Sequence, residues 1–171
     1  MILTGEEIKK QVDAGRIKIE PYSTDAVTTN AYDVRLMPKI LRYTDEVLDA
    51  RKTPNYEEIE LTDKGFLLNP GDFVLGATAE TIGSDYFVPR LHGKSGTARK
   101  GLFVNVTADL INPGAHGNIT LQLYATLPVM LYPNMPIAQI TFWEARGDIT
   151  LYQGRYAGSH GPMAYIPPQE A

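Results

Sequence analysis

The sequence predicts a mostly-β chain, a sandwich or barrel with one short helix at its N-terminus. Short runs of alternating or β-branched residues recur along its length. Turn residues punctuate them, at Asn69-Pro70-Gly71-Asp72, Asn112-Pro113-Gly114 and Pro133-Asn134. After the first turns of chain, almost no helical signal remains. Strands at such spacing favour a sandwich or barrel over βαβ units.

The elements follow in order. Thr4 and Glu7 form a capping box and predict a helix over residues 5–14, with Ile8 and Val12 on one face and Gly15 placed to stop it. Strand character then runs through "AYDVRLM", "GFLLNPGDFVLGATAETI", "YFVPRLHGKS", "LFVNVTADLI", "NITLQLYA" and "PVMLYPNMPIAQITFWEA". The polar, charged segment 42–63 reads as a loop or peripheral excursion. In "GNITLQLYAT" (117–126), Ile119, Leu121 and Leu123 alternate with Thr120, Gln122 and Tyr124, which places Gln122 mid-strand on the face away from the leucines. The tail, 151–171, is rich in Gly and Pro with scattered Tyr and Arg. Two readings of it stand: a disordered terminus, or a flexible lid whose Arg and backbone amides close over an anion.

Composition narrows the chemistry. The chain has 171 residues, 43% hydrophobic and 21% charged, which suits one domain (1–171) with a core that needs no staples. A net charge of -4 gives no basic footprint for duplex nucleic acid, though a local basic pocket for a small anion remains open. Without cysteine, disulfides, Fe–S clusters and thiolate zinc sites are excluded. The three histidines, His92, His116 and His160, lack close helical spacing, so a His/Cys/Cys zinc site of the cytidine-deaminase kind cannot form and no protein-bound metal is expected. The N-terminus lacks the pattern of a signal peptide, and no apolar run reaches the ~18 residues of a membrane span. A cytoplasmic location and no membrane partner are the expectations.

The stretch "GKSGTARKG" (93–101) follows the strand "FVPRLH" and gathers Lys94, Ser95, Arg99 and Lys100 among glycines. Glycine lets backbone N–H groups approach an anion closely, and a hydroxyl and a guanidinium add charge-assisted hydrogen bonds to phosphate. It is not a Walker loop, whose spacing is absent. Alone, it reads equally as a solvated cationic hairpin.

It does not stand alone. "NAYDVRL" (30–36), "GKSGTARKGL" (93–102), "NVTADLINPGAHGNITLQLY" (105–124), "PNMPIAQITF" (133–142) and "YQGRYAGSHGP" (152–162) occur in that order. With the opening "MILTG", this series resembles the dCTP deaminase branch of the dUTPase-like superfamily over nearly the whole chain. Length and tail look most similar to the bacterial enzymes, including the bifunctional, dUMP-forming kind. The resemblance implies a distorted jelly-roll-like β-barrel, a homotrimer with active sites between subunits, and a deoxynucleoside triphosphate bound with Mg²⁺. It implies that Ser95 and Arg99 contact phosphate and the reacting centre, and that the Ala108 backbone meets the base edge. It places Lys94 where the family has Arg or Lys. Tyr152, Arg155 and the glycines after it match the tail that closes over the triphosphate. Asp33 matches the aspartate of the first motif, either structural or catalytic.

The match breaks at several positions. Gln122 stands where the family has the Glu that shuttles protons while water attacks C4 and ammonia leaves; a primary amide does not titrate. Asn112 replaces the usual Asp of the turn, Ala115 an aromatic, Gly96 a Ser and Ser159 a frequent Gln. A single engineered substitution accounts for Gln122 but not for the set. A silent nucleotide-binding paralogue accounts for it, as does an active enzyme with a relocated proton carrier, for which Asp109 and His116 are the nearby titratable groups. A purely structural trimer of the same fold is a third function. The expectation is a dCTP-deaminase-type hydrolase, with a catalytically silent nucleotide-binding paralogue as the alternative and Asn112, Gln122 and Ser159 among the nucleotide-binding positions.

Overall fold

A computed structural model describes residues 1–168. The helix α1 spans Gly5–Asp13. Thr4 caps it by accepting from the Glu7 N–H at 3.4 Å. The capping box is one-sided, because the Glu7 carboxylate accepts from Gln11 at 2.5 Å instead of reaching back. Gly15, at φ +69°, ends the helix, and the N–H groups of Gly15 and Arg16 return to the carbonyls of Val12 and Gln11. That is the paired closure of a Schellman motif, which needs the left-handed residue glycine supplies. Ile8 is fully buried and sits in the core.

The strands are β1 (Lys18–Glu20), β2 (Tyr32–Arg35), β3 (Lys39–Tyr43), β4 (Tyr56–Glu60), β5 (Phe66–Leu68), β6 (Phe73–Gly83), β7 (Phe87–Gly93), β8 (Leu102–Phe103), β9 (Gly117–Ala125), β10 (Val129–Leu131) and β11 (Pro136–Glu144). The largest sheet runs β4-β3-β6-β9-β8, with β1 also on β6; β2-β11-β7 form a second sheet and β10-β5 a third. Among the described residues every strand pairing is antiparallel, as expected of a β-sandwich or barrel. The core between the sheets holds Val34, Leu36, Leu91, Leu121, Leu123, Ile140 and Phe142, all nearly inaccessible.

Two expectations need correction. Segment 42–63 is not all loop: β4 pairs with β3 from Tyr43↔Tyr56 to Lys39↔Glu60. Its alternation was hidden because "YEEIE" is exposed at nearly every position. Cross-strand ion pairs, Arg42 to Glu57 at 2.5 Å and Lys39 to Glu58 at 2.9 Å, decorate this edge. Conversely, "LFVNVTADLI" is a strand only at Leu102–Phe103. Beyond it Val104 and Val106 still bond to Gln122 of β9 outside any regular ladder, and the chain then reaches β7, where the Leu91 N–H meets the Asp109 carbonyl and the Ile111 N–H the Pro89 carbonyl. The 93–101 segment closes as one helical turn, α2 (Ser95–Ala98).

A wide bulge in β6 shapes the site. Ala77 faces Thr120 and Thr81 faces Asn118, so Thr78–Glu80 oppose Ile119 alone. Glu80, with a side chain 2% exposed, is held by the Arg35 backbone N–H at 3.0 Å and its Nε at 2.7 Å. The bulge is thereby locked to β2.

Candidate active site

A cavity of about 630 Å³ opens beside β9, within the range of small-molecule sites. Leu75, Ile119, Thr120 and Gln122 form its floor, and the loop residues Ala108, Leu110, Asn112, Ala115 and His116 one wall. The tail supplies the cover, with Tyr152, Tyr156, Ser159, Met163 and Tyr165. No Lys, Arg, Asp or Glu lines it among the described residues.

Gln122 occupies the expected place, on the face of β9 away from the fully buried Leu121 and Leu123. Its N–H donates to the Val104 carbonyl at 2.9 Å, and its Oε1 accepts from the Val106 N–H at 3.0 Å. Backbone and side chain thus pin the loop that carries Ala108 against the strand. Ala108 is exposed on the cavity wall, and its own N–H and carbonyl have no hydrogen bond among the described residues.

His116 is the one imidazole among the described residues that line the cavity. Its Nε2 lies 2.8 Å from Asp85 Oδ1, forming an Asp–His pair at the rim. Asp85 follows β6 and comes from 31 positions earlier in the chain, so nothing local in the sequence marks it. Asp109 takes a different path. It is half-buried against Arg90, whose Nε donates to Oδ2 at 3.1 Å, and does not line the cavity. The Arg90 guanidinium holds the Asp109 carboxyl below its ordinary range. It is committed as an ion-pair partner.

Asn118 is the residue the sequence reading missed. It is 6% exposed, and its Nδ2 donates to the carbonyls of Thr78 at 3.0 Å and Glu80 at 3.2 Å, across the β6 bulge. Its Oδ1 accepts from the Gly161 N–H at 3.0 Å. One amide therefore joins the bulge to the tail. The tail continues this docking: Asn118 N–H to Ser159 carbonyl at 2.9 Å, Ser159 Oγ to Asn118 carbonyl at 2.8 Å, and Met163 N–H to Thr120 Oγ1 at 3.1 Å. Gly117 permits the approach, since a Cβ there would stand 2.5 Å from Ser159 Oγ. Tyr165 N–H meets the Tyr43 hydroxyl at 3.0 Å, and burial pushes the Tyr43 phenol up, keeping it protonated. Residues 151–168 form a bonded cover; 169–171, the end of the expected lid, lie outside the described residues.

The cationic turn is elsewhere. Lys94, Ser95 and Arg99 do not line the cavity. Ser95 and Arg99 are exposed, and their side chains have no hydrogen bond or ion pair among the described residues. Lys94 is ion-paired with Asp33, whose other oxygen accepts from Gln139 Nε2 at 2.7 Å. Both oxygens of Asp33 are thus occupied within the β2-β11-β7 sheet and its following turn. Arg155 also stays out of the cavity, with its NH1 on the Ile166 carbonyl at 2.5 Å. Of the expected site residues, Ala108, Asn112, His116, Gln122, Tyr152 and Ser159 meet in one pocket.

Residues 2–145 match the family model described as dCTP deaminase-like. A "dCTP deaminase, dUMP-forming" of Clostridium botulinum is 37% identical over 162 residues, covering 94% of this chain and 93% of that one. A protein of the same name from Pseudarthrobacter chlorophenolicus is 37% identical over 180 residues, covering 96% and 94%. The crystal structure of 2'-deoxycytidine 5'-triphosphate deaminase from Agrobacterium tumefaciens superposes with a TM-score of 0.67 at 21% identity, over 84% of this chain. This chain spans 48% of that solved chain, and the likeness establishes a shared β-fold.

Proposed function

The chain belongs to the dCTP deaminase-like family, and from that premise we propose that it is a hydrolase converting dCTP to dUTP or dUMP in pyrimidine deoxynucleotide metabolism. The observation that carries this reading is the uncharged cavity that gathers Gln122, the free backbone groups of Ala108 and the one titratable imidazole, His116. A silent paralogue is the weaker reading, because the similar proteins over nearly the full chain are named as enzymes.

In deamination, water adds to C4, the C4–N4 bond breaks, and ammonia leaves after gaining a proton. A single group must take a proton from water and return it to nitrogen. Gln122 cannot titrate, and Asp109 is held by Arg90. His116, oriented by Asp85 on the cavity wall, is the proton carrier in this proposal. Gln122 then acts as a fixed hydrogen-bonding partner of the base.

The triphosphate has no cation in this pocket, whereas Ser95 and Arg99 stand exposed without partners elsewhere. A buried polyanion needs charge-assisted donors. The two halves complete each other if one copy's cationic turn reaches a neighbour's cavity, which is the arrangement of a homotrimer with sites between subunits. Exposed apolar residues beside the cavity wall, Val106 at 51% and Leu110 at 60%, suit such an interface. Arg155, released from Ile166, would add charge as the tail closes. Mg²⁺ enters as part of the substrate, held by phosphate oxygens and water; among the described residues no cluster of three His, Asp or Glu offers it a protein cage. A cytoplasmic location is part of this proposal, since the protein would draw on a deoxynucleotide pool.

The test is incubation of the protein with dCTP and Mg²⁺, with chromatography for dUTP and dUMP, alongside light scattering for oligomer size. Product from wild type and its loss in His116→Asn are expected. Absence of product at high protein concentration across the common deoxynucleotides sinks the enzyme reading. Full activity in His116→Asn sinks the assignment of the proton carrier alone.

A further inference from the structure

The orientation of the Gln122 amide is fixed by its neighbours. The Val106 N–H, 3.0 Å away, requires an acceptor, so the oxygen points to it. A flipped amide would set its own N–H groups against that donor. The backbone of Gln122 is equally constrained, with its N–H on the Val104 carbonyl at 2.9 Å and Leu75 opposite on β6. The remaining end, Nε2, has no partner among the described residues and belongs to a side chain that lines the cavity. Asn118, the buried side-chain amide of the described lining, has both ends used. The floor of the pocket thus presents a donor where it meets a ligand.

We propose that this donor makes the pocket favour a 4-keto pyrimidine nucleotide over a 4-amino one. Uracil and thymine carry an acceptor oxygen on C4 and a donor at N3. Cytosine carries a donor amine on C4 and an acceptor at N3. An NH₂ group facing C4 pairs with the keto oxygen and opposes the amine. The free carbonyl of Ala108 on the same wall suits an N3–H, and its free N–H a ring carbonyl. The inference rests on reading the cavity as a pyrimidine pocket, and it deepens that reading. Deamination of dCTP creates the very base that Gln122 favours, so dUTP is retained for the second hydrolysis. In that step water attacks the α-phosphorus, the Pα–O–Pβ bond breaks, pyrophosphate leaves, and the proton passes to solvent. Free dUTP is then a better substrate than dCTP.

The experiment measures binding of α,β-imido analogues of dUTP, dTTP and dCTP, with Mg²⁺, by calorimetry on the intact protein, every sample, including the one wild type at position 122, carrying His116→Asn so that C4 of the dCTP analogue is not hydrolysed. A good hydrogen bond exchanged for two opposed donors corresponds to about tenfold or more in affinity. The wild type is expected to bind the dUTP and dTTP analogues at least about tenfold tighter than the dCTP analogue. Gln122→Glu, which presents only acceptors, is expected to reverse the order. Gln122→Met, with no donor, is expected to remove the discrimination and serves if the Glu variant does not fold. A wild type that binds the dCTP analogue as tightly as the dUTP analogue, or more so, overturns the proposal. Unchanged ranking in a folded Gln122→Met also overturns it. If the wild type binds none of the three, the nucleotide reading of the cavity fails and the base preference falls with it.

Discussion

Replacing Asn118 by Asp changes one atom and tests how the tail is tied to the core. Asp keeps the oxygen that accepts from Gly161 at 3.0 Å. The nitrogen that donates to Thr78 and Glu80 carbonyls, at 3.0 and 3.2 Å, becomes an oxygen. Two hydrogen bonds of roughly 1 kcal/mol each are lost. A carboxylate at a position 6% exposed then faces carbonyl oxygens. Desolvation and repulsion both favour its neutral form. A rise of two units above the ordinary value of about 3.9 adds about 2.7 kcal/mol at neutral pH. The variant should therefore be about 4–5 kcal/mol less stable than wild type at pH 7. Because the folded pKa is raised, the charge-linked part is absent below the unfolded pKa and grows as pH rises toward the folded one. The difference between variant and wild type should shrink by about 1.4 kcal/mol per unit between pH 6 and 4. Urea unfolding, followed by the fluorescence of Trp143, the single tryptophan, measures it. A loss under about 1 kcal/mol at pH 7, or a difference that does not change with pH, would refute the role given to Asn118.

Other perturbations probe the same frame. Arg35→Ala takes the guanidinium from buried Glu80 and leaves it only the backbone N–H of residue 35, which should cost roughly 2–4 kcal/mol in the same unfolding assay, whereas Glu80→Gln, which keeps the shape, should cost less. Burial first, and the Arg90 charge second, hold the His92 imidazole below its ordinary range. The unfolded chain therefore takes up that proton first, and stability should fall as pH drops below about 6.5; His92→Gln should flatten that part of the pH profile. Thr120→Val removes the acceptor for the Met163 N–H and should loosen tail docking by about 1 kcal/mol, seen as faster proteolytic nicking within 150–165. Gly117→Ala should loosen the tail more, because its Cβ would stand 2.5 Å from Ser159 Oγ and 2.7 Å from the Ser159 carbonyl; nicking no faster than in Thr120→Val would contradict the close contact.

Local signals carried the elements whose burial alternates. The helix was legible from Thr4, Ile8 and Gly15, and β9 from its leucines, because one buried face imposes a period. Strand β4 was not legible, since "YEEIE" is an exposed edge held by cross-strand charge rather than by a buried stripe. The bulge at Thr78–Glu80 was equally hidden: it depends on Asn118, 38 to 40 positions away. The same distance effect divides the site. Gln122, Ala108 and Asn112 were found by their motif, and the cavity brings them together. Asp85 and Asn118 carry no local mark, and their roles arise only when β6 and β9 lie side by side.

The amides of Asn112 and Gln122 leave the described lining without a carboxylate of its own. Within one subunit the described lining of the cavity contains no Lys or Arg, so a carboxylate at position 122 would stay uncompensated until a neighbour's cationic turn reached it. An uncompensated charge in a partly enclosed site is costly, and an amide of the same shape is not. Gln122 also keeps the structural duty of its position, since an amide oxygen accepts the Val106 N–H as a carboxylate oxygen would. What the amide gives up is titration, and the imidazole on the same lining is that of His116, paired with Asp85. His116 sits on the wall rather than the floor, and its carbonyl accepts from the Gly158 N–H of the tail at 2.9 Å. Closing the tail and positioning the imidazole are therefore coupled through the same residue. On this view a variant that loosens the tail, such as Thr120→Val, should lower kcat as well as raise KM for dCTP. A pure rise in KM would show that the cover binds substrate without touching the chemistry.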